Sequence, residues 1–309
     1  MNTTMQLEDC LYAIDTPFPY SQGSYVRSYL VKGQAGLALI DAGAISTHQQ
    51  VIDLLAELGE EKSRLKVIAL THAHGDHVGS VNSLRAATGC LVAVNRAGVE
   101  FLSNIELMFQ DFMGSFPREF PLTPEIRASW FSIACESSNP DIQFEEDSFR
   151  LDLGGIILEA KSAPGHSKDS VCWYEPRRGW LFTGDAICGL GPFSETPCYR
   201  DVDIYRTTLG KIGKLRIDTL YTAHFPVMDR QNAVEFFDKS AEVVNQFDAV
   251  VRKQLQNASK KPTFQEIASS IAGAIGKEHM VNTLFTTRAH LLDLEKKGMA
   301  IGDILGAER

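Results

Sequence analysis

Thr71-His72-Ala73-His74-Gly75-Asp76-His77 follows directly on the apolar run Val67-Ile68-Ala69-Leu70. A short run of β-branched and aliphatic residues reads as a buried strand, which puts the heptad in a loop at the strand's C-terminal edge. Three imidazoles and a carboxylate in so few positions are dense for a chain with eight histidines in total. Imidazole nitrogen and carboxylate oxygen together suit zinc, and also iron or manganese. His72 and His74 alternate by two and can grip one ion, while Asp76 and His77 can grip a second. A polar loop with coincidental histidines is the alternative.

Three further segments repeat the arrangement of a ligand type after an apolar run. His166 lies in Ser-Ala-Pro-Gly-His-Ser, after Ile156-Ile157-Leu158-Glu159-Ala160. Asp185 ends Leu-Phe-Thr-Gly-Asp, after a short strand starting at Trp180, and His224 lies in Leu-Tyr-Thr-Ala-His-Phe. Core packing alone would not collect polar groups at strand ends in this way, because burying them without partners is unfavourable.

The ordered set Asp41, His72-x-His74-x-Asp76-His77, His166, Asp185 and His224 resembles the five motifs of metallo-β-lactamase-fold hydrolases, over roughly residues 7–230. The resemblance implies an α/β protein, an αββα sandwich. It implies that His72, His74 and His166 hold one metal ion, that Asp76, His77 and His224 hold the other, and that Asp185 bridges them. Asp41 would orient the ligand loop by hydrogen bonds. True metallo-β-lactamases usually carry Cys or Ser where this chain has Asp185. A bridging Asp resembles instead the glyoxalase-type thioesterases, the lactonases and related nucleases. Flavodiiron relatives replace the second histidine with Glu and add a flavin domain, which disfavours redox chemistry here.

The chemistry implied is hydrolysis by a hydroxide bridging two divalent ions, zinc most readily, with iron or manganese as alternatives. Asp76, His77 and Asp185 are the expected catalytic residues, Asp76 as a ligand first and a proton relay second. Ser167, beside His166, reads as a loop hydrogen-bonding residue rather than a nucleophile. The expected substrate is a small, partly apolar ester, thioester or lactone. A phosphodiesterase or nuclease, and a ligand-binding effector of the same fold, are the alternatives.

The chain has 309 residues, 44% of them hydrophobic, which is ample for a full core. Its net charge of −9 and the absence of a basic stripe argue against a nucleic-acid partner. The first residues lack a charged segment followed by an apolar one, and no apolar stretch of membrane-spanning length occurs. Six cysteines are dispersed without a C-x-x-C pair, so a cytoplasmic protein with reduced thiols is expected. Cys188, three residues past Asp185, reads as a buried structural thiol.

The expected division is a catalytic domain over 1–240 and a C-terminal helical extension over 241–309. Strands are expected over 11–14, 25–31, 37–41, 66–70, 91–94, 149–153, 156–161, 171–174, 180–183 and 219–222. Helices are expected over 47–58, 79–88 and 202–214, the first capped by Ser46 or Thr47. An insertion over about 104–147 is dense in Phe and Met. It is expected to cap the site, with Phe109, Phe112, Met113 and Phe116 facing substrate, or else to pack on the sandwich. Tyr199 or Tyr205 is a candidate hydrogen-bond donor to substrate. In the extension, a helix over 241–255, a capping box at Thr263 and Glu266, and a helix over 280–297 followed by Met299-Ala300-Ile301 resemble a small winged-helix appendage. With nine basic and eight acidic residues, it reads as structural or dimer-forming, which allows a homodimer. His279 and His290 are expected to be solvated or packing residues.

Overall fold

The computed structural model describes residues 3–17, 23–134, 136–190, 196–257, 261–277 and 279–306. The first sheet runs in order β1 (Thr3–Glu8), β2 (Leu11–Pro17), β3 (Tyr25–Lys32), β4 (Leu37–Ile40), β5 (Leu65–Ala69), β6 (Leu91–Asn95) and β7 (Ile142–Phe144). Its pairings are antiparallel as far as β4 and parallel from β4 to β7. The second contains β8 (Arg150–Asp152), β9 (Ile157–Ser162), β10 (Val171–Glu175), β11 (Trp180–Phe182), β12 (Thr219–Tyr221) and β13 (Met228–Asp229), again in sequence order.

Alternation along these strands builds the layers. Ala38, Ile40, Val67 and Ala69 of the first sheet meet Trp173, Trp180 and Phe182 of the second in an inner core. Their sequence neighbours Leu37, Leu39, Ile68 and Leu181 point the other way, into an outer core under helices. Both faces are buried, so the strands read as continuous apolar runs rather than as alternating ones.

Helices α1 (Thr47–Glu57), α2 (Gly75–Val78) and α3 (Val81–Thr88) follow the first strands. The helix expected over 79–88 is α3, starting at Val81, and the additional short helix α2 before it carries the candidate ligand residues Asp76 and His77. Ser46 stands at the start of α1 but its side chain makes no capping bond, and Thr47 Oγ1 pairs with Thr16 Oγ1 at 2.7 Å instead. Helix α4 (Val99–Ser103) leads into the insertion, which contributes α5 (Ile105–Phe112) and α6 (Pro124–Phe131) before its last residues return to the sheet as β7. Then come α7 (Val202–Ile212), α8 (Arg230–Asn257), α9 (Phe264–Ala274) and α10 (Val281–Lys296).

The C-terminal helical extension is present, and the helix expected over 241–255 begins earlier, at Arg230. The capping box is formed: Thr263 N donates to Glu266 Oε2 at 2.7 Å, and Glu266 N donates to Thr263 Oγ1 at 3.2 Å. Met299–Ile301 forms no strand. The extension packs on the insertion, with Phe285 stacked on Phe112 at 5.3 Å between ring centroids and Phe264 stacked on Phe116 at 5.8 Å. Among the described residues no helix is long and apolar enough to cross a membrane.

Candidate metal centre

Strands β4 and β5 lie side by side and parallel, so their C-terminal ends bring Asp41 against the loop that carries the heptad. Asp41 is the one non-glycine residue with positive φ among those described, at 57°. That left-handed turn aims its carboxylate back into the protein. Oδ1 accepts from Thr71 N at 2.7 Å, and Oδ2 accepts from Thr71 Oγ1 at 2.8 Å and lies 2.8 Å from His77 Nδ1. One buried carboxylate thus holds both ends of the heptad. Asp169, absent from the sequence expectations, holds the middle: its Oδ2 accepts from Ala73 N at 2.9 Å. Burial raises the Asp169 carboxyl above its ordinary range.

Two donor groups result. His72, His74 and His166 form one, and Asp76, His77, Asp185 and His224 the other; within each, the donor atoms lie within 4.8 Å of one another. Asp185 Oδ2 faces both. It stands 3.5 Å from His77 Nε2, 3.4 Å from His224 Nε2 and 3.8 Å from His166 Nε2. Asp76 Oδ2 lies 3.3 Å from His224 Nε2 and 3.5 Å from His77 Nε2.

The imidazoles are oriented from behind. His166 Nδ1 pairs with Cys198 O at 3.0 Å and His224 Nδ1 with Tyr25 O at 2.7 Å, leaving each Nε2 aimed at the group. Nε2 of His72 and of His77 are buried without a hydrogen-bond partner among the described residues. Buried ring nitrogens are almost always paired, so two such nitrogens converging with carboxylates suit the binding of a cation.

The electrostatics divide along the same line. Burial holds His72 and His74 well below the ordinary imidazole range, and neighbouring imidazoles push the same way; burial also lowers His166. For His77 and His224 burial acts downward too, but the carboxylates of Asp76 and Asp185 outweigh it and both lie well above. Asp185 is the mirror case: burial raises it, yet His224 and His77 hold it well below the carboxylate range.

The two groups open into a cavity of about 480 Å³ walled by the insertion, the loop after Asp185 and the start of α10. Of the residues expected to face substrate, Phe112 and Met113 line it; Phe109, Phe116 and Tyr199 do not. Phe109 is turned toward Trp130 and Phe131, Phe116 is held by Phe264 and Phe285, and Tyr199 is stacked on Tyr205 with its hydroxyl 2.8 Å from His290 Nε2. Tyr205 spends its hydroxyl on Cys188, accepting from N at 2.8 Å and donating to O at 2.9 Å. Cys188 borders the cavity while its thiol donates to Asp185 O at 3.0 Å. His290 is fully buried and is not solvated. Wall residues that sequence reasoning missed are Trp130, Met280, Val281 and Asn282. Trp130 also packs on the ligand loop, since a Cβ added to Gly75 would come within 3.1 Å of its ring.

A family model described as the metallo-beta-lactamase superfamily matches residues 22–224. The chain is 24% identical over 258 residues to a beta-lactamase-like protein 2 homolog of Caenorhabditis elegans, covering 82% of this chain and 74% of that protein. It is 25% identical over 316 aligned positions to a probable metallo-hydrolase of Bacillus subtilis, covering 94% and 93%. It is 26% identical over 204 residues to an atrochrysone carboxyl ACP thioesterase of Aspergillus fumigatus, covering 66% of this chain and 51% of that one. Among solved structures, a metallo-beta-lactamase family protein of Thermus thermophilus superposes with a TM-score of 0.75 at 21% identity, covering 95% of each chain. A beta-lactamase domain protein of Burkholderia ambifaria gives 0.73 at 16% identity, covering 96% and 89%. With the sandwich, the two donor groups and this match over most of its length, the chain belongs to the metallo-beta-lactamase superfamily.

Proposed function

We propose that this protein is a binuclear metal-dependent hydrolase of small, partly apolar esters, thioesters or lactones. The observation that carries the reading is the position of Asp185 Oδ2 between two histidine groups at the floor of a largely apolar cavity. The thioesterase name of one relative supports the acyl branch. His72, His74 and His166 would hold one cation, Asp76, His77 and His224 the other, and Asp185 both. When bound, such a pair supplies water with a pKa lowered toward about 7 and polarises an acyl oxygen. Zinc suits the donor set best, with iron or manganese the alternatives.

The chain's own residues do the rest. Asp41, Tyr25 O and Cys198 O fix which nitrogen each imidazole presents. Asp76 reaches the cavity wall between His77 and His224, and in this reading it would serve as a ligand first and as a proton relay second. The partner is then a small molecule, and neither nucleic acid nor membrane is required. The described cysteines are free thiols, in keeping with a cytoplasmic home.

Elemental analysis of protein purified without chelator tests the metals, with about two divalent ions per chain expected. A panel of neutral thioesters, lactones, β-lactams and a bis-aryl phosphodiester tests the bond. Phosphodiester turnover far above acyl turnover would refute the acyl assignment.

A further inference from the structure

The wall of the cavity has a one-sided chemistry. Phe112, Met113 and Trp130 come from the insertion, Ile187 from the loop after Asp185, and Met280 and Val281 from the first turn of α10. No Lys or Arg stands among the described lining residues. Beyond the candidate metal ligands, the only charged side chain among the described lining residues is Glu125, which is exposed. The polar wall atoms are partly spent within the protein: Thr196 Oγ1 lies 2.8 Å from Thr283 Oγ1. A carboxylate or phosphate on the distal end of a ligand would therefore meet no Lys or Arg among the described wall residues, and Arg200, which is not part of that wall, pairs with Asp111, so burying such a group is unfavourable. An aliphatic chain would meet thioether, aromatic and aliphatic surface.

Resting on the acyl-hydrolase reading above, we propose that this cavity is the subsite for an uncharged apolar acyl chain, and that Met280 and Val281, which the start of α10 contributes to its wall, restrict the chain it accepts. The C-terminal extension is then part of the specificity apparatus. Its place is fixed by aromatic contacts to the insertion, Phe285 on Phe112 and Phe264 on Phe116, so the two walls keep a set separation. Each methylene buried against such a wall should raise kcat/KM about fourfold until the cavity is filled.

The test uses neutral S-acyl-N-acetylcysteamine thioesters from acetyl to decanoyl, on metal-loaded wild type and on Val281→Phe and Met113→Ala. The readout is each variant's own ratio of long-chain to acetyl turnover, which cancels any loss of folded or loaded protein. Wild type should climb by at least tenfold between acetyl and hexanoyl. Val281→Phe should move the optimum to shorter chains, and Met113→Ala to longer ones. Acyl turnover with a flat profile, or an optimum unmoved by Val281→Phe, overturns the subsite and leaves the hydrolase intact. A second readout needs no metal: quenching of tryptophan fluorescence by 1-octanol against 1-butanol in chelated protein. Selective octanol binding that Val281→Phe removes supports the subsite even if no thioester is cleaved, in which case the hydrolase reading alone fails. Absence of octanol binding overturns the subsite.

Discussion

Asp41 Oδ2 lies 2.8 Å from His77 Nδ1, and the same oxygen accepts from Thr71 Oγ1, so a residue thirty positions upstream of the heptad clamps it at both ends. The φ of 57° at Asp41 is what allows one side chain to face both. Asn tolerates that backbone, which makes Asp41→Asn a clean probe of the carboxylate. It replaces an acceptor facing His77 by an amide that can satisfy only part of the pair. Metal affinity should fall about 10- to 100-fold, measured by competition with a chromogenic chelator, with the circular dichroism spectrum unchanged. Unaltered affinity would mean that His77 is oriented by something else.

Removing single ligands should separate the two groups. His224→Ala takes a donor from one group only, so metal content should fall from about two to about one ion per chain. Asp185→Ala takes the oxygen that faces both, and content should fall below one at the same free metal concentration. His74→Ala should abolish turnover while leaving the melting transition of chelated protein nearly in place, because the ligand loop sits at the rim of a large core. Equal losses from His224→Ala and Asp185→Ala would argue against a shared carboxylate.

Acidification should empty the groups in order. Protons compete with metal most strongly where imidazole pKa is high, and His77 and His224 lie well above their ordinary range, raised by Asp76 and Asp185 against the opposing effect of burial. His72, His74 and His166 are lowered by burial, so protons displace their ion only at lower pH. Dialysis through a falling pH series, with metal counted at each step, should show a plateau near one ion per chain before the last is lost. A single step from two to none, or earlier loss from the three-histidine group seen with His224→Ala as reference, would contradict this order.

Insertion and ligand loop meet at two glycines whose substitution should differ in severity. A Cβ on Gly75 would stand 3.0 Å from Ala134 Cβ and 3.1 Å from the Trp130 ring, contacts that small side-chain shifts relieve. A Cβ on Gly79 would stand 2.3 Å from Ile133 O and 2.5 Å from Ala44 C and Ile45 N, all backbone atoms. Gly79→Ala should therefore destabilise by about 3 kcal/mol and Gly75→Ala by about 1 kcal/mol, following the usual range for overpacking. Urea unfolding of the two variants checks the ranking, and the reverse order would place the insertion elsewhere.

The strands and the clustering of the candidate ligand residues were readable because both carry local signals: apolar runs for strands buried on two faces, and ligand types at their ends. The strands missed are those lacking that signal. Thr3–Glu8 is a polar edge, and Ile142–Phe144 and Met228–Asp229 are too short to show a pattern. Asp169 was missed because a single Asp in a loop looks like any other; only the fold shows that it meets the Ala73 amide. The cavity wall was half legible. Phe109, Phe112, Met113 and Phe116 share one segment, and which of them face the cavity depends on α10, more than 160 residues away in sequence, whose Phe285 covers Phe116 and stacks on Phe112. Tyr199 failed as a substrate donor for the same reason, since its hydroxyl already belongs to His290 of α10.

The most direct measurement is anomalous diffraction at the absorption edge of the metal that elemental analysis identifies. Two peaks about 3.5–4 Å apart, on either side of Asp185 Oδ2, with His72, His74 and His166 around one and Asp76, His77 and His224 around the other, is the expected result. One peak, none, or peaks away from Asp185 would contradict the binuclear assignment.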